Sequence, residues 1–457
     1  MEQLKKGRRL ILFPLPFQGH INPMLELANI LHLKGFSITI IQSNFNSLNP
    51  SCHPHFIFHS IDIGLAESGT STKDPLLLLS RLNANSREPF QECLATLLSD
   101  VSKEPVGCLI TDSVYDFAQS VAESLKLPRI LLRTGSASSF AIYTAFPLLR
   151  EKGYLPKQDS RLEEEVTGLS PLKVKDLPII NSDGPERFFN LIADLEIQTK
   201  TSDGLILNTF EDLEEHALAT IRQVYPIPVF SLGPFHKCYP ANCSLTSSSL
   251  LAQDQSCISW LNTQAPKSVI YVSFGSIAAI KETQFLEIAW GLANSKMPFL
   301  WVIRPGLVHG SDWLEALPSG FLETSTLNVK GHIVKWAPQK EVLAHQAVAV
   351  FWTHNGWNST LESICEGVPM ICMPCSSDQM MNARYVSDVW KVGLQLQHGV
   401  ERVNIENTIR RLMVEKEGEE IKNRVLRLMQ KANFCLKQGG SSYRSLDALI
   451  KHILSFK

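Results

Sequence analysis

No stretch of this 457-residue chain runs for about eighteen apolar residues without interruption, the length a bilayer-spanning helix needs. An integral membrane protein is therefore not expected. The start, MEQLKKGRRLILFPLPFQGH, is basic and then apolar. Pro14 and Pro16 break its apolar run and no small-residue cleavage site follows, so it reads as a first buried strand and not as a secretion signal. Neither sign of charge is in excess: 43 Lys and Arg stand against 45 Asp and Glu, and no long basic run occurs, which argues against a nucleic-acid partner. The ten cysteines are scattered, as in a reduced cytoplasmic protein. Cys372-Met373-Pro374-Cys375 is a CxxC, but no second CxxC or Cys/His pair at metal spacing accompanies it, so it reads as a bystander and no metal site is expected. The sequons at Asn242 and Asn358 have no meaning without secretion. No repeat occurs at solenoid periods. No G-x-G-x-x-G follows a predicted strand, and no G-x-S-x-G occurs, which removes the motifs of nicotinamide oxidoreductases and α/β-hydrolases.

What is present is alternation. Leu10–Pro14, Phe36–Gln42, Cys52–Ile63, Val106–Thr111, Arg129–Leu132, Gly204–Asn208 and Val229–Leu232 read as strands. Between them Asn22–Leu33, Leu77–Leu98, Tyr115–Lys126, Ser136–Leu149, Glu186–Lys200 and Glu211–Gln223 read as helices, the first with Asn22 as N-cap and Pro23 at its first position. Residues 67–75 look like a polar loop, and 153–175 like an irregular surface excursion. Residues 234–255 are rich in Ser, Pro, Asn and Cys and read as a linker. A second alternating set follows, with strands at Ser268–Ser273, Phe299–Ile303 and His332–Val334 and late helices at Ile405–Val414, 418–436 and Tyr443–Ser455. This pattern predicts two α/β domains with mostly parallel sheets, a first over 1–235, a linker over 236–256 and a second over 257–440. In such sheets ligands lie beyond the carboxyl ends of the strands.

One stretch, Trp336 to Gln379, organises the second domain. Ala347–Trp352 reads as a buried strand, Trp357–Glu366 as a helix and Val368–Met373 as the next strand, with a sharp turn at Thr353–Gly356. A helix N-terminus beside Gly356 suits a phosphate. Asn358 and Ser359 add side-chain donors, and His354 can reach in from the strand end. Glu362 would be repelled by a diphosphate, so a ribose hydroxyl is the better partner. Trp336 offers a face on which a base can stack, or else belongs to the core. Asp378 and Gln379 suit the hydroxyls of a sugar. Base, ribose, diphosphate and sugar together describe a nucleotide sugar.

This stretch closely resembles the 44-residue donor-binding box of plant family 1 UDP-glycosyltransferases. The resemblance extends over the full chain, through Phe17-Gln18-Gly19-His20-Ile21-Asn22-Pro23 and Phe274-Gly275-Ser276, and is nearest in look to the subgroup containing diterpenoid and cytokinin glucosyltransferases. It implies the GT-B architecture: two doubly wound Rossmann-like domains facing across a cleft, the first binding the acceptor and the second the donor, with the last helix, 441–457, packing back on the first after the Gly439-Gly440 break. It also implies donor contacts at Ser276, Trp336, Ala337, Gln339, His354, Trp357, Asn358, Ser359, Glu362, Asp378 and Gln379, with Trp357 acting through its backbone. Two positions depart from the family pattern: Asn355, where Cys or Ser is more frequent, and Cys375-Ser376, where an aromatic is frequent.

His20 sits where strand 1 gives way to helix 1, so topology places it on the ligand side. A positive helix end favours the neutral imidazole a base requires. Read alone, it is better taken as a histidine that caps or fills the turn. Asp112 ends its strand on the same side and can orient the imidazole, as in a triad, or cap the next helix; the resemblance favours the functional role for both. The expected activity is inverting, metal-independent transfer of glucose from UDP-glucose to a hydroxyl of a small hydrophobic plant metabolite such as a terpenoid, phenolic or cytokinin, by a monomer with no cofactor. Transfer to a carboxyl, a ring nitrogen or an existing sugar, and a non-catalytic nucleotide-sugar sensor, are the alternatives.

Overall fold

The computed structural model describes residues 8–65, 74–100, 102–180, 185–238, 249–308, 313–318, 320–321, 331–396 and 399–456. Most of the polar loop expected at 67–75, and 239–248 within the expected linker, lie outside them. The chain forms two compact units. The first holds Met1–Pro156, Ile179–Leu250 and Phe434–Lys457, and the second Lys157–Pro178 and Leu251–Asn433.

The first unit is built on seven strands: β1 (Arg9–Phe13), β2 (Ser37–Ser43), β3 (Ile57–Ile61), β4 (Val106–Asp112), β5 (Arg129–Arg133), β6 (Gly204–Leu207) and β7 (Val229–Ser231). All neighbours are parallel, in the order β3-β2-β1-β4-β5-β6-β7. The inner strands are apolar on both faces because helices cover both. Leu10, Leu12, Ile38, Ile40, Ile110, Ile130 and Leu132 enter one core and Ile11, Phe13, Ile41 and Leu109 the other. The last helix, Ser441–Ser455, adds Leu449, Ile450 and Ile453 to the first of these cores. His452 Nε2 lies 2.6 Å from the Asp203 carbonyl, and Arg8 donates to the Ile453 carbonyl at 2.9 Å. Two glycines let the chain turn into this helix. Gly439 has φ +84°, and a Cβ at Gly440 would lie 2.3 Å from the Cys435 carbonyl oxygen.

Three helices differ from expectation. The first spans Gln18–Leu33, not Asn22–Leu33: the Phe17 carbonyl accepts from His20 N and Ile21 N, so winding begins a turn earlier. Pro23 is interior there, in the second turn, and removes the bond its N–H would have made to the carbonyl four residues earlier. Asn22 therefore caps nothing and instead meets the Gln18 amide. Ser136 does cap the helix expected at Ser136–Leu149, but that helix is two, Ala137–Tyr143 and Phe146–Glu151, divided where Pro147 lacks an N–H. The helix expected at Tyr115–Lys126 is only Ala118–Ser124.

The second unit repeats the plan with β8 (Val269–Ser273), β9 (Phe299–Val302), β10 (Gly331–Val334), β11 (Val348–Thr353), β12 (Met370–Cys372) and β13 (Gly393–Gln395), all parallel, in the order β10-β9-β8-β11-β12-β13. Trp301, Trp352, Phe285 and Ile371 sit in its core. Lys157–Pro178, which precedes β6 in the chain, belongs to this unit. Asp176 in that segment accepts from Arg384 Nε at 2.8 Å, and both side chains are largely buried. No helix of the described residues is long and apolar enough to cross a membrane.

Candidate active site

In the first unit three strand ends deliver one cluster. β1 leads into the turn before Gln18–Leu33 and so to His20; β4 ends at Asp112; β5 runs into Thr134. The Asp112 carboxylate is fully buried, and its Oδ2 lies 2.7 Å from His20 Nδ1. Its Oδ1 accepts from Val114 N at 3.1 Å. Of the two roles that sequence left open, capping the next helix is not filled, since that cap falls at Phe117 and Oδ1 instead closes the turn at Val114. A carboxylate can only accept, so it assigns the proton to Nδ1 and leaves the Nε2 lone pair free. Thr134 Oγ1, 3.0 Å from the same nitrogen, further fixes the ring. His20 is about a quarter exposed, and half-buried Phe17 stands beside it with Phe45 edge-on to Phe17.

Behind this cluster lies Arg129, completely buried at the start of β5. Its guanidinium donates to Thr111 Oγ1 (2.8 Å), Gln119 Oε1 (3.1 Å) and Gln198 Oε1 (2.9 Å). Burial pulls its pKa down to about 9, and the negative charge of Asp112 opposes that fall. It remains a cation at neutral pH and balances the buried Asp112 anion. Sequence reasoning missed Arg129 and Thr134; the available signal was an arginine heading an otherwise apolar strand.

In the second unit the strand ends again converge. Ser276 follows β8 and is half-buried; Trp336 and Ala337 follow β10, Trp336 half-buried and Ala337 almost fully buried. Gln339 opens the helix Gln339–Ala344 and bridges Ser359 Oγ at 2.9 Å and Glu362 Oε2 at 2.7 Å, both on the helix Trp357–Cys365, while Tyr271 of β8 reaches its Oε1 at 3.4 Å. Asn358 lies on the first turn of the same helix. His354 follows β11 with its ring against two glycines: a Cβ at Gly275 or Gly356 would lie 2.5 or 2.6 Å from His354 Nε2. Burial first, and Arg304 second, lower the His354 pKa to about 4, so the ring is neutral at pH 7. Asn355 takes φ +61°, a conformation asparagine tolerates better than most residues. Its side chain donates to Cys372 Sγ at 3.3 Å, and its carbonyl accepts from Asn382 at 3.0 Å.

Two details refine the sequence reading. The Trp357 indole is buried, 6.3 Å from the Trp390 ring, so only its backbone is placed to meet a ligand. Asp378 and Gln379 open the helix Asp378–Arg384, but Gln379 Oε1 already accepts from Cys375 N (2.9 Å) and Ser376 N (3.2 Å), leaving its amide to donate. Cys372 and Cys375 are free thiols, and burial raises their pKa values to about 12 and about 11. Neither is poised as a thiolate. Cys372→Ser is expected to keep turnover within about threefold of the parent, measured as UDP release.

The second-unit residues singled out by the sequence therefore gather beyond the carboxyl ends of the strands of one parallel sheet. A family described as "UDP-glucoronosyl and UDP-glucosyl transferase" matches residues 91–430. The chain belongs to the UDP-glycosyltransferase family. It is 50% identical to UDP-glycosyltransferase 76B1 of Arabidopsis thaliana over the full length of both chains. Among solved structures, this UDP-glycosyltransferase matches Os79 of O. sativa in complex with UDP, with a TM-score of 0.83 at 27% identity over 97% of this chain and 100% of that one. It also matches Phytolacca americana UGT2 complexed with UDP-2fluoro-glucose and pterostilbene, with a TM-score of 0.81 at 26% identity over 99% and 100%. The enzyme thus has two Rossmann-like α/β domains of the GT-B class. Among its described residues no three His, Cys, Asp or Glu side chains gather into a metal-binding group.

Proposed function

We propose that this enzyme transfers glucose from UDP-glucose to a hydroxyl of a small hydrophobic metabolite, with inversion and without a metal. The observation that carries the reading is the His20–Asp112 pair: a buried carboxylate 2.7 Å from Nδ1 turns an unprotonated Nε2 outward, beside Phe17. In this mechanism Nε2 takes the hydroxyl proton as the oxygen attacks the anomeric carbon. The bond from that carbon to the diphosphate breaks, its electron pair leaves with UDP, and Asp112 stabilises the imidazolium. The leaving charge is met by Ser276, His354, Asn358 and the N–H groups that open Trp357–Cys365. Gln339 and Glu362 bind the ribose, Trp336 stacks on the base next to Ala337, Ser359 holds Gln339, and Asp378 and Gln379 bind the sugar. The donor in the Phytolacca structure, UDP-2fluoro-glucose, supports the choice of sugar. Half-exposed Phe17 and Phe45 support an apolar acceptor.

The test is to incubate the enzyme with UDP-glucose and a panel of phenolic and terpenoid alcohols in EDTA and to measure UDP. UDP release that depends on an alcohol and survives EDTA is expected. Loss of activity in EDTA, restored by a divalent metal, contradicts metal independence; tight UDP binding without transfer to any acceptor points to a sensor. Asp378→Ala is expected to lower kcat/KM for UDP-glucose by roughly tenfold to a hundredfold, because a sugar hydroxyl loses its acceptor. UDP-galactose is expected to be the poorer donor for the parent, read from the same assay.

A further inference from the structure

Arg304 follows β9 and is almost wholly buried, at 8% exposure. Every hydrogen bond it makes goes to a backbone carbonyl: Nε to Gly275 at 3.0 Å, Nη1 to Pro305 at 3.0 Å and Nη2 to Ala278. Among the described residues no carboxylate pairs with it. A buried guanidinium without a counter-ion is costly, and carbonyl dipoles only partly replace its lost hydration. Burial accordingly lowers its pKa.

The two carbonyls it draws inward belong to the loop that follows β8. In a trans peptide the N–H points opposite to the C=O. With the Gly275 and Ala278 carbonyls turned onto Arg304, the N–H groups of Ser276 and Ala279 face away from it, and neither meets an acceptor among the described residues. Gly275 needs φ +73° to make this turn, and the absence of a side chain lets the loop lie against the His354 ring. His354 Nδ1 is itself buried without a partner. Outward N–H groups, a neutral imidazole with an unmatched nitrogen and an unbalanced cation behind them form a lining made for an anion.

We propose that Arg304 is a positioning residue for the donor's diphosphate: it ties the Gly275–Ala278 loop by its carbonyls, turns the loop's N–H groups outward, and supplies through the loop the positive charge that the diphosphate balances. This rests on the reading of the second unit as the UDP-sugar site. It makes the charge of Arg304 matter for the diphosphate and not for the nucleoside.

The experiment is calorimetric titration of the parent, Arg304→Gln, Arg304→Met and Arg304→Lys with UDP and with uridine, alongside thermal unfolding of each protein. Gln keeps an amide for the carbonyls, Met keeps the volume, and Lys keeps the charge. UDP affinity is expected to fall on the order of tenfold in each folded uncharged variant, while uridine affinity stays within about twofold. The Lys variant is expected to retain most of the preference for UDP over uridine. The proposal is overturned if an uncharged variant binds UDP like the parent, or if UDP and uridine weaken in equal proportion, since that is the signature of general loosening. If the parent itself binds UDP no better than uridine, the donor-site reading fails, and the proposal with it.

Discussion

Replacing His20 by alanine is expected to slow transfer to an alcohol by on the order of a hundredfold to ten-thousandfold, the usual contribution of a positioned general base. The geometry makes the loss specific to proton transfer. His20 lies in the first unit and the residues proposed to bind the nucleotide in the second, so UDP affinity should be unchanged. Asp112→Asn should also slow the reaction. The amide no longer stabilises an imidazolium, and its NH₂ group can face Nδ1 and stabilise the wrong tautomer. The double variant should be little slower than His20→Ala, because both side chains serve one proton transfer. An acceptor that is already an anion at neutral pH should lose less than an alcohol does. These expectations are checked by single-turnover rates of the four proteins at saturating UDP-glucose. A His20→Ala rate within about threefold of the parent on an alcohol removes His20 as the base.

The second large effect concerns stability. Arg384 Nε and Nη2 reach Asp176 Oδ2 and Oδ1 at 2.8 and 3.4 Å, and Arg384 Nη1 also reaches Asp388 at 3.1 Å. Asp176 is 5% exposed and Arg384 13%. Arg384→Ala strands a carboxylate in the interior, which is expected to lower stability by about 3–5 kcal/mol. Arg384→Met with Asp176→Leu removes both charges and should recover much of that loss, for the same reason. Urea unfolding of the singles and the double reads the coupling; losses that simply add contradict it. The helix held by this pair begins with Asp378 and Gln379, so Arg384→Ala should raise KM for UDP-glucose more than it lowers kcat.

The parallel α/β plan was readable because apolar runs such as RLILF and VIYVS alternate with helix-period segments and carry their own turn signals. Candidate site residues could be named where they stand next to such a signal, as His354, Trp357 and Glu362 do after β11. What escaped were groups whose role depends on distant chain. Arg129 heads an apolar strand and gains meaning only from Asp112 beside it. Arg304 acts on a loop that precedes it by some thirty positions in the chain. The place of Lys157–Pro178 in the second unit depends on Asp176 finding Arg384, a pairing with no local trace. The early start of the first helix was hidden by Pro23, whose usual place is the first position of a helix. The used-up Gln379 carbonyl was hidden because its partners, Cys375 N and Ser376 N, are backbone groups whose direction no residue type announces.

The most direct test of the account is the anomeric configuration of the product. UDP-glucose carries an α-linked sugar, and a single attack by an oxygen activated at His20 must invert it. Proton NMR of the purified glucoside, with UDP measured in the same reaction in EDTA, is expected to show the β-anomer alone and one UDP per glucoside. An α-glucoside, or a glucoside formed without matching UDP, contradicts the mechanism.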